Sequence, residues 1–457
     1  MLPDETLAAD LLRELTSSGA DYADLFAQRT HFRRIVREGG RSRTLSAGEE
    51  AGAGLRIRAG GRTLFAAVSS LEPERLLLQA RALAAEVGGT RSSRCEPFRT
   101  HDEDGGETET DLEWAQALLL EGESELAAAG CSEERSSAIL SLSDGHSVVA
   151  NSRGGFCRER RANLTLYQQA TVLEGGRLAS AARVVSGPGT LGADPAGAVR
   201  RAAREALQTA RHRLAAVPAP RGSFPVVLGS TAAGLFLHEA VGHAFEGDFV
   251  ANGASPFSRR LGERVAGAPL ELWDDGTLDG GCGTARCDDE GTATGRAPLL
   301  REGRLAGYLL DLASAEALSL APTGHGRRES YRHPPLPRQR NLSAAPGSLP
   351  TEALAREVEF GLLVLQMGGG WADIPRGDFA LRVTEGFLLR EGKRGEPIKG
   401  ALLRGNGPRA LLALKAIGSE TGAGAGTCLK LDQSVPVSDR APALLLESLD
   451  VTAEEEP

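Results

Sequence analysis

Residues 5–17 place Leu7, Leu11, Leu12 and Leu15 at helical spacing before Gly19, which predicts an amphipathic helix. From Tyr22 to Val68 the pattern changes to short apolar alternations between Gly-rich turns, as in Leu55-Arg56-Ile57-Arg58-Ala59 before Gly60-Gly61. That period of two predicts antiparallel strands with one buried face. A second helix is expected over 72–87. A second block repeats the order of elements, with a helix over 111–129, alternating strands between Ser137 and Val185, and a helix over 194–212. The stretch 88–110 between the blocks is polar and turn-rich and reads as a linker, which puts a boundary near residue 100.

The third block starts with the apolar strand Phe224–Leu228 and runs into Gly229-Ser230-Thr231, where a hydroxyl is expected to cap a helix. Beyond it come Gly-rich turns, short strands, a helix over 349–360 and an acidic tail at 454–457. The expected class is α+β: a mixed sheet and helix region in two segments, 1–100 and 101–220, followed by a strand-rich metal-binding domain over 221–457. The 57 glycines and the low aromatic content of 4% agree with many tight turns between strands.

Net charge changes the picture by exclusion. With 61 acidic against 52 basic side chains, the formal charge is −9, which disfavours nucleic-acid binding. The longest uncharged apolar stretch, 224–237, is about two-thirds of a spanning helix and contains Pro225, Gly229 and Gly234, so no membrane span is expected. The N-terminal residues show no basic stretch leading into an apolar run, and the expected location is cytoplasmic. Six cysteines, at 95, 131, 157, 282, 287 and 428, are too sparse for a disulfide framework and are expected as free thiols. Cys282 and Cys287 are near in sequence but do not form a C-x-x-C unit.

The chemistry concentrates in His238-Glu239-Ala240-Val241-Gly242-His243. Two imidazoles can hold a metal ion while the adjacent carboxylate takes a proton from water activated there. In an α-helix the two histidines would point about 140° apart, since five residues separate them. A left-handed Gly242 ending the helix is expected to turn His243 back. The plain alternative is a buried helix end with one hydrogen-bonded and one exposed histidine. A catalytic zinc also needs a third protein ligand. Glu246 and Asp248 are near in sequence, and Cys428, in the Gly-rich 422–428 segment, offers a thiolate.

These features resemble the TldD/PmbA family, specifically its metal-bearing TldD type. The resemblance rests on Leu237-His-Glu-Ala-Val-Gly-His243 with Glu246-Gly-Asp248, on Asp274-Asp-Gly-Thr277 and on Asp288-Asp-Glu-Gly-Thr292. It extends through Pro322-Thr-Gly-His-Gly-Arg-Arg-Glu-Ser-Tyr331 to Cys428 and Gln433-Ser-Val-Pro-Val437. It implies a zinc-dependent peptidase of H-E-x-x-x-H type acting on small or unfolded peptides, with His238, His243 and Cys428 as zinc ligands and Glu239 as catalytic base. It also implies a homodimer, or a heterodimer with a relative lacking the metal motif. Two departures stand out: Leu-Lys-Leu-Asp follows Cys428 where Gly-Lys is expected, and His325 occupies a position more often Asn. Of four candidate substrate-binding residues, His325 is a possible ligand or proton donor near the site, and Arg327, Arg328 and Tyr331 could hold a peptide carboxylate or an oxyanion. The acidic runs 274–275 and 288–290 read as turns between strands. The alternatives are an amide hydrolase acting on a modified peptide or metabolite, and a peptide-binding subunit with structural zinc.

Overall fold

The computed structural model describes residues 1–89, 95–102, 112–131 and 136–453. Much of the expected linker over 88–110 and the acidic tail at 454–457 lie outside the described residues. The first helix, α1 (Glu5–Leu15), is capped by Asp4, whose carboxylate accepts the Leu7 N–H at 2.9 Å. It is followed by β1 (Tyr22–Glu38), β2 (Arg41–Ala59), β3 (Arg62–Val68) and α2 (Pro73–Ala85). Next come β4 (Arg99–Asp102), α3 (Leu112–Ala128), β5 (Ser136–Asn151), β6 (Gly155–Glu174), β7 (Arg177–Gly187) and α4 (Pro195–Ala215). The helices thus fall where the apolar spacing predicts them.

All seven strands form one sheet, in the order β3-β2-β1-β5-β6-β4 with β7 on β6. The β1–β5 pair runs antiparallel from Asp24↔Asn151 to Glu38↔Ser137, so the segments on either side of residue 100 share a sheet. One end is covered by α1 and α2, whose Leu11, Leu15, Leu76 and Leu83 pack on Leu25, Leu55 and Ile57. The other carries α3 over Leu140, Leu142, Leu164 and Leu166. Each helix buries one apolar stripe on a strand face, which is how α+β layers gain most of their stability.

From residue 217 onward the chain builds a 12-stranded sheet around one long strand, Gln433–Ala453. After β8 (Val217–Pro218), β9 (Gly222–Leu228) lies between Gln433–Ala453 and Phe360–Asp373. The strand Ala401–Asn406 pairs with both Asp378–Arg390 and Gln433–Ala453, so five strands close into a ring. At the end of β9 the backbone turns directly into α5 (Ser230–Phe236), whose N-cap is Gly229 without a side-chain hydrogen bond. The expected hydroxyl cap is therefore not used. The helix buries Ala232, Ala233 and Phe236 in the largest apolar core. No helix among the described residues is long and apolar enough to cross a membrane.

Candidate metal centre

The histidine spacing is reconciled by a change of helix type rather than by a left-handed glycine. Leu237–Val241 is a π-helical turn, and the Gly242 N–H bonds back to the Leu237 carbonyl five residues earlier. Such a turn brings residues five apart to nearly the same face. The rings of His238 and His243 consequently lie 5.1 Å apart, edge to face. Gly242 itself is right-handed, at φ −60° and ψ −44°. Glycine is needed there for another reason: a Cβ would collide with Oε1 of buried Gln339, whose Nε2 donates to the His238 carbonyl at 3.2 Å. Gly407 supports the same turn from outside, since a Cβ at that position would strike the Ala240 carbonyl.

The third member arrives on the hairpin formed by Leu414–Lys430 and Gln433–Ala453, closed by Leu431 and Asp432 at φ 48° and 59°. Cys428 Sγ is 3.4 Å from His243 Nε2. One ligand atom from each of His238, His243 and Cys428 lies within 4.8 Å of the others, and all three residues are buried. The remaining imidazole nitrogens are held by carboxylates: His238 Nδ1 by Asp439 at 3.0 Å and His243 Nδ1 by Glu246 at 3.1 Å. That leaves one nitrogen of each ring for the cluster, the usual arrangement of metal-ligating histidines. Glu246, a ligand candidate by sequence proximity, thus supports His243 instead.

Glu246 is in turn bound to Lys430, whose Nζ lies 2.8 Å from Glu246 and 2.8 Å from Asp248. Burial acts to raise the Glu246 carboxyl, but Lys430 and His243 outweigh it and hold it well below the usual range. Burial likewise acts against charge on the histidines. Glu246 and Cys428 nevertheless push His243 up to about 9, and Asp439 and Cys428 raise His238 well above its ordinary value. Burial would raise the Cys428 thiol, yet the two histidines bring it down to about 5. One thiolate and two imidazoles in this disposition fit a zinc ion.

Glu239 stands at the edge of this cluster, with Oε2 3.9 Å from His243 Nε2 and a side chain one-third exposed. With His238 it lines a cleft of about 920 Å³. One wall is β7 and α4 of the N-terminal half; another is the segment 422–427 leading to Cys428.

The remaining sequence candidates are elsewhere. His325, Arg327, Arg328 and Tyr331 do not line the cleft. His325 is fully buried, with Nε2 3.1 Å from Asp274 and Nδ1 2.8 Å from the Thr323 carbonyl. Arg327 donates to the carbonyls of Gln339 and Pro436 at 2.6 and 2.8 Å. Arg328 reaches Asp24, and the Tyr331 hydroxyl meets Ser69, both in the N-terminal half. These groups make internal contacts. The acidic run 288–290 is the turn expected there, and it is buried, with Asp289 on Arg161 and Glu290 on Arg56. Asp439 and Lys430 had no local motif to mark them, and only their proximity to Cys428 in the hairpin could have drawn attention.

Residues 221–453 match the PmbA/TldA metallopeptidase C-terminal domain, and residues 23–84 match domain 1 of the same metallopeptidases. A metalloprotease TldD homolog of Haemophilus influenzae is 39% identical over 251 residues, 54% of this chain and 52% of that protein. A metalloprotease of Methanothermobacter thermautotrophicus is 30% identical over 65% of each chain. A zinc metalloprotease TldD homolog of Saccharolobus solfataricus is 29% identical over 50% of this chain and 52% of its own. The aligned part therefore spans about half the length of the first of these relatives. In three dimensions, TldE from Thermococcus kodakarensis superposes with a TM-score of 0.78 at 18% identity, covering 98% of this chain and 99% of its own. With the family match running through the turn that holds both histidines and on to the hairpin that brings Cys428, the chain belongs to the PmbA/TldA metallopeptidase family.

Proposed function

We propose that this chain is a zinc-dependent peptidase for small or unfolded peptides, with His238, His243 and Cys428 holding the metal and Glu239 as general base. The observation that carries the reading is the convergence of these three buried donors beside Glu239 in an open cleft. Zinc bound there would polarise the scissile carbonyl and acidify the attacking water. Glu239 takes the proton from that water and returns it to the leaving amine. Asp439 and Glu246 hold the ring orientations that this chemistry requires.

The cleft also supports an extended substrate. Segment 422–427 pairs with Gln433–Ala453 on one side only among the described residues, and a Cβ at Gly426 would meet nothing within 4 Å. A peptide adding to that edge would run toward Cys428 using main-chain hydrogen bonds, with little demand on its side chains. A folded domain does not readily supply such a strand. A second copy, or a metal-free relative, is the proposed partner that completes the assembly.

Metal analysis of purified protein, together with digestion of an unfolded peptide mixture by wild type and Glu239→Gln, tests the assignment. The variant should keep its zinc and lose hydrolysis. Wild-type turnover in that variant would remove Glu239 from the mechanism, and cleavage unaffected by chelation would remove the metal.

A further inference from the structure

Alternate positions of a strand share a face, which groups 422, 424, 426 and 428 on the strand Leu414–Lys430; the first three are glycines. Across the ladder they oppose Ala441, Asp439, Val437 and Val435. This face looks onto α5. A Cβ on Gly422 would collide with Ser230 Oγ, one on Gly424 would lie 3.9 Å from Thr231 Cγ2, and one on Gly426 would meet nothing within 4 Å. The gap between strand and helix therefore widens toward Cys428. Gly424 is beside Thr231, and Cys428 is beside His243, so strand and helix advance in the same sense. Two residues of strand cover about 6.6 Å and four of helix about 6 Å, which sets Gly426 abreast of Leu235. Along 231–240 only Thr231, Leu235 and Glu239 are not fully buried, and all three line the cleft. Leu235 packs against the main apolar core, and Met367 of that core lines the same cleft.

We propose that this gap is a specificity subsite that takes one large apolar side chain of the peptide close to the bond that is cut, with Leu235 as its floor. It rests on the reading above in which the peptide adds to the edge 422–427. Residues directly opposite in a strand pair carry their side chains on the same face, so the peptide residue opposite Gly426 points into the space that the glycine leaves. Opposite Gly424 that space is limited by Thr231, and opposite Gly422 by Ser230, so the size tolerated falls with distance from the donor cluster. Thr231 and Leu235 bring no charge to the gap. An aliphatic or aromatic side chain covering Leu235 leaves water at a gain, whereas a charged one gives up hydration for an apolar floor.

The test is binding, read on zinc-loaded Glu239→Gln so that no turnover intervenes. The probes are short fluorescent peptides of Gly, Ala and Ser, identical except for a central Leu, Ala or Asp. Main-chain pairing lets such a peptide slide until the central residue meets the gap. By fluorescence anisotropy the Leu peptide should bind roughly 10-fold tighter than the Ala peptide, and the Asp peptide no tighter than the Ala peptide. Gly426→Val, which fills the gap, should bring Leu and Ala to within about twofold, and Leu235→Ala should lessen the preference. Equal affinity for the Leu and Ala peptides, binding of neither, or a Leu preference untouched in both variants would overturn the proposal. Mapping of the cuts that the wild-type chain makes in an unfolded peptide mixture separates this inference from the peptidase reading. Hydrolysis with no apolar residue enriched at a fixed distance from the cut removes the subsite and leaves the peptidase. Leu-selective binding without any hydrolysis removes the peptidase and leaves the subsite. Neither the Leu-to-Ala ratio nor the map needs a variant of the gap, so misfolding of Gly426→Val would not blunt the test.

Discussion

Two buried histidine–aspartate pairs lie in the C-terminal half, and they are built for opposite ends. His238 meets Asp439 at 3.0 Å and His325 meets Asp274 at 3.1 Å. The first aspartate occupies only one ring nitrogen, and the other nitrogen faces Cys428 and His243. At His325 both nitrogens are occupied, since Thr323 takes the second, while Asp274 also accepts the backbone N–H groups of Arg340 and Asn341. A buried histidine with one nitrogen aimed at other donors is available as a ligand. One saturated by protein groups is a strut.

The largest expected effect separates the two sites directly. Cys428→Ser should lose most of its zinc on dialysis, because a neutral hydroxyl replaces a thiolate, whereas His325→Gln should retain it. Zinc content after identical dialysis decides, and full zinc in the serine variant would break the comparison. Next come the carboxylates. Asp439→Asn and Glu246→Gln should each weaken zinc roughly 10–100-fold in competition with a chromophoric chelator. Asp274→Asn should leave affinity unchanged and instead cost about 1–3 kcal/mol in denaturant unfolding, having disturbed a buried, fully hydrogen-bonded group.

A smaller effect is expected one contact further out. Lys430→Met leaves Glu246 in place without its cation, so zinc affinity should fall less than in Glu246→Gln, by the same chelator assay. Smallest on the fold is Gly426→Ala, which enters open space and should shift stability by less than about 0.5 kcal/mol. If the peptide lies along this strand, the same change should still reduce turnover. Equal turnover of an unfolded peptide by wild type and Gly426→Ala would move the substrate to a different edge.

What could be read from the chain followed the range of each interaction. His238, Glu239 and His243 are visible because they lie within six residues, and α1 to α4 because their apolar spacing is local. Cys428, 185 residues from His243, was one candidate beside Glu246 and Asp248 until the resemblance singled it out. Asp439 and Lys430 have no spacing to betray them, since strand pairing alone delivers them. The π-helical turn escaped the reading because the 238–243 pattern fits an α-helix ended by glycine equally well; Gln339, far away in the chain, makes Gly242 necessary. The burial of the acidic turn 288–290 was hidden for a related reason. Its partners Arg56 and Arg161 come from the other half of the molecule.

The hairpin ending in Leu431-Asp432 has a further consequence for how the chain reaches its native pairing. Cys428 and Lys430 face the same way because they are two residues apart, and both are spoken for: one by His243, the other by Glu246 behind it. Slippage of the strand by a single position would turn both away and present Leu429, which is now 66% exposed, to the histidines. Two left-handed residues with no glycine make the turn an uncertain guide to its own alignment. An ion that binds only when Cys428 faces inward would therefore act as a proofreader of β-alignment, and its uptake would report that the last two long strands had found their proper partners.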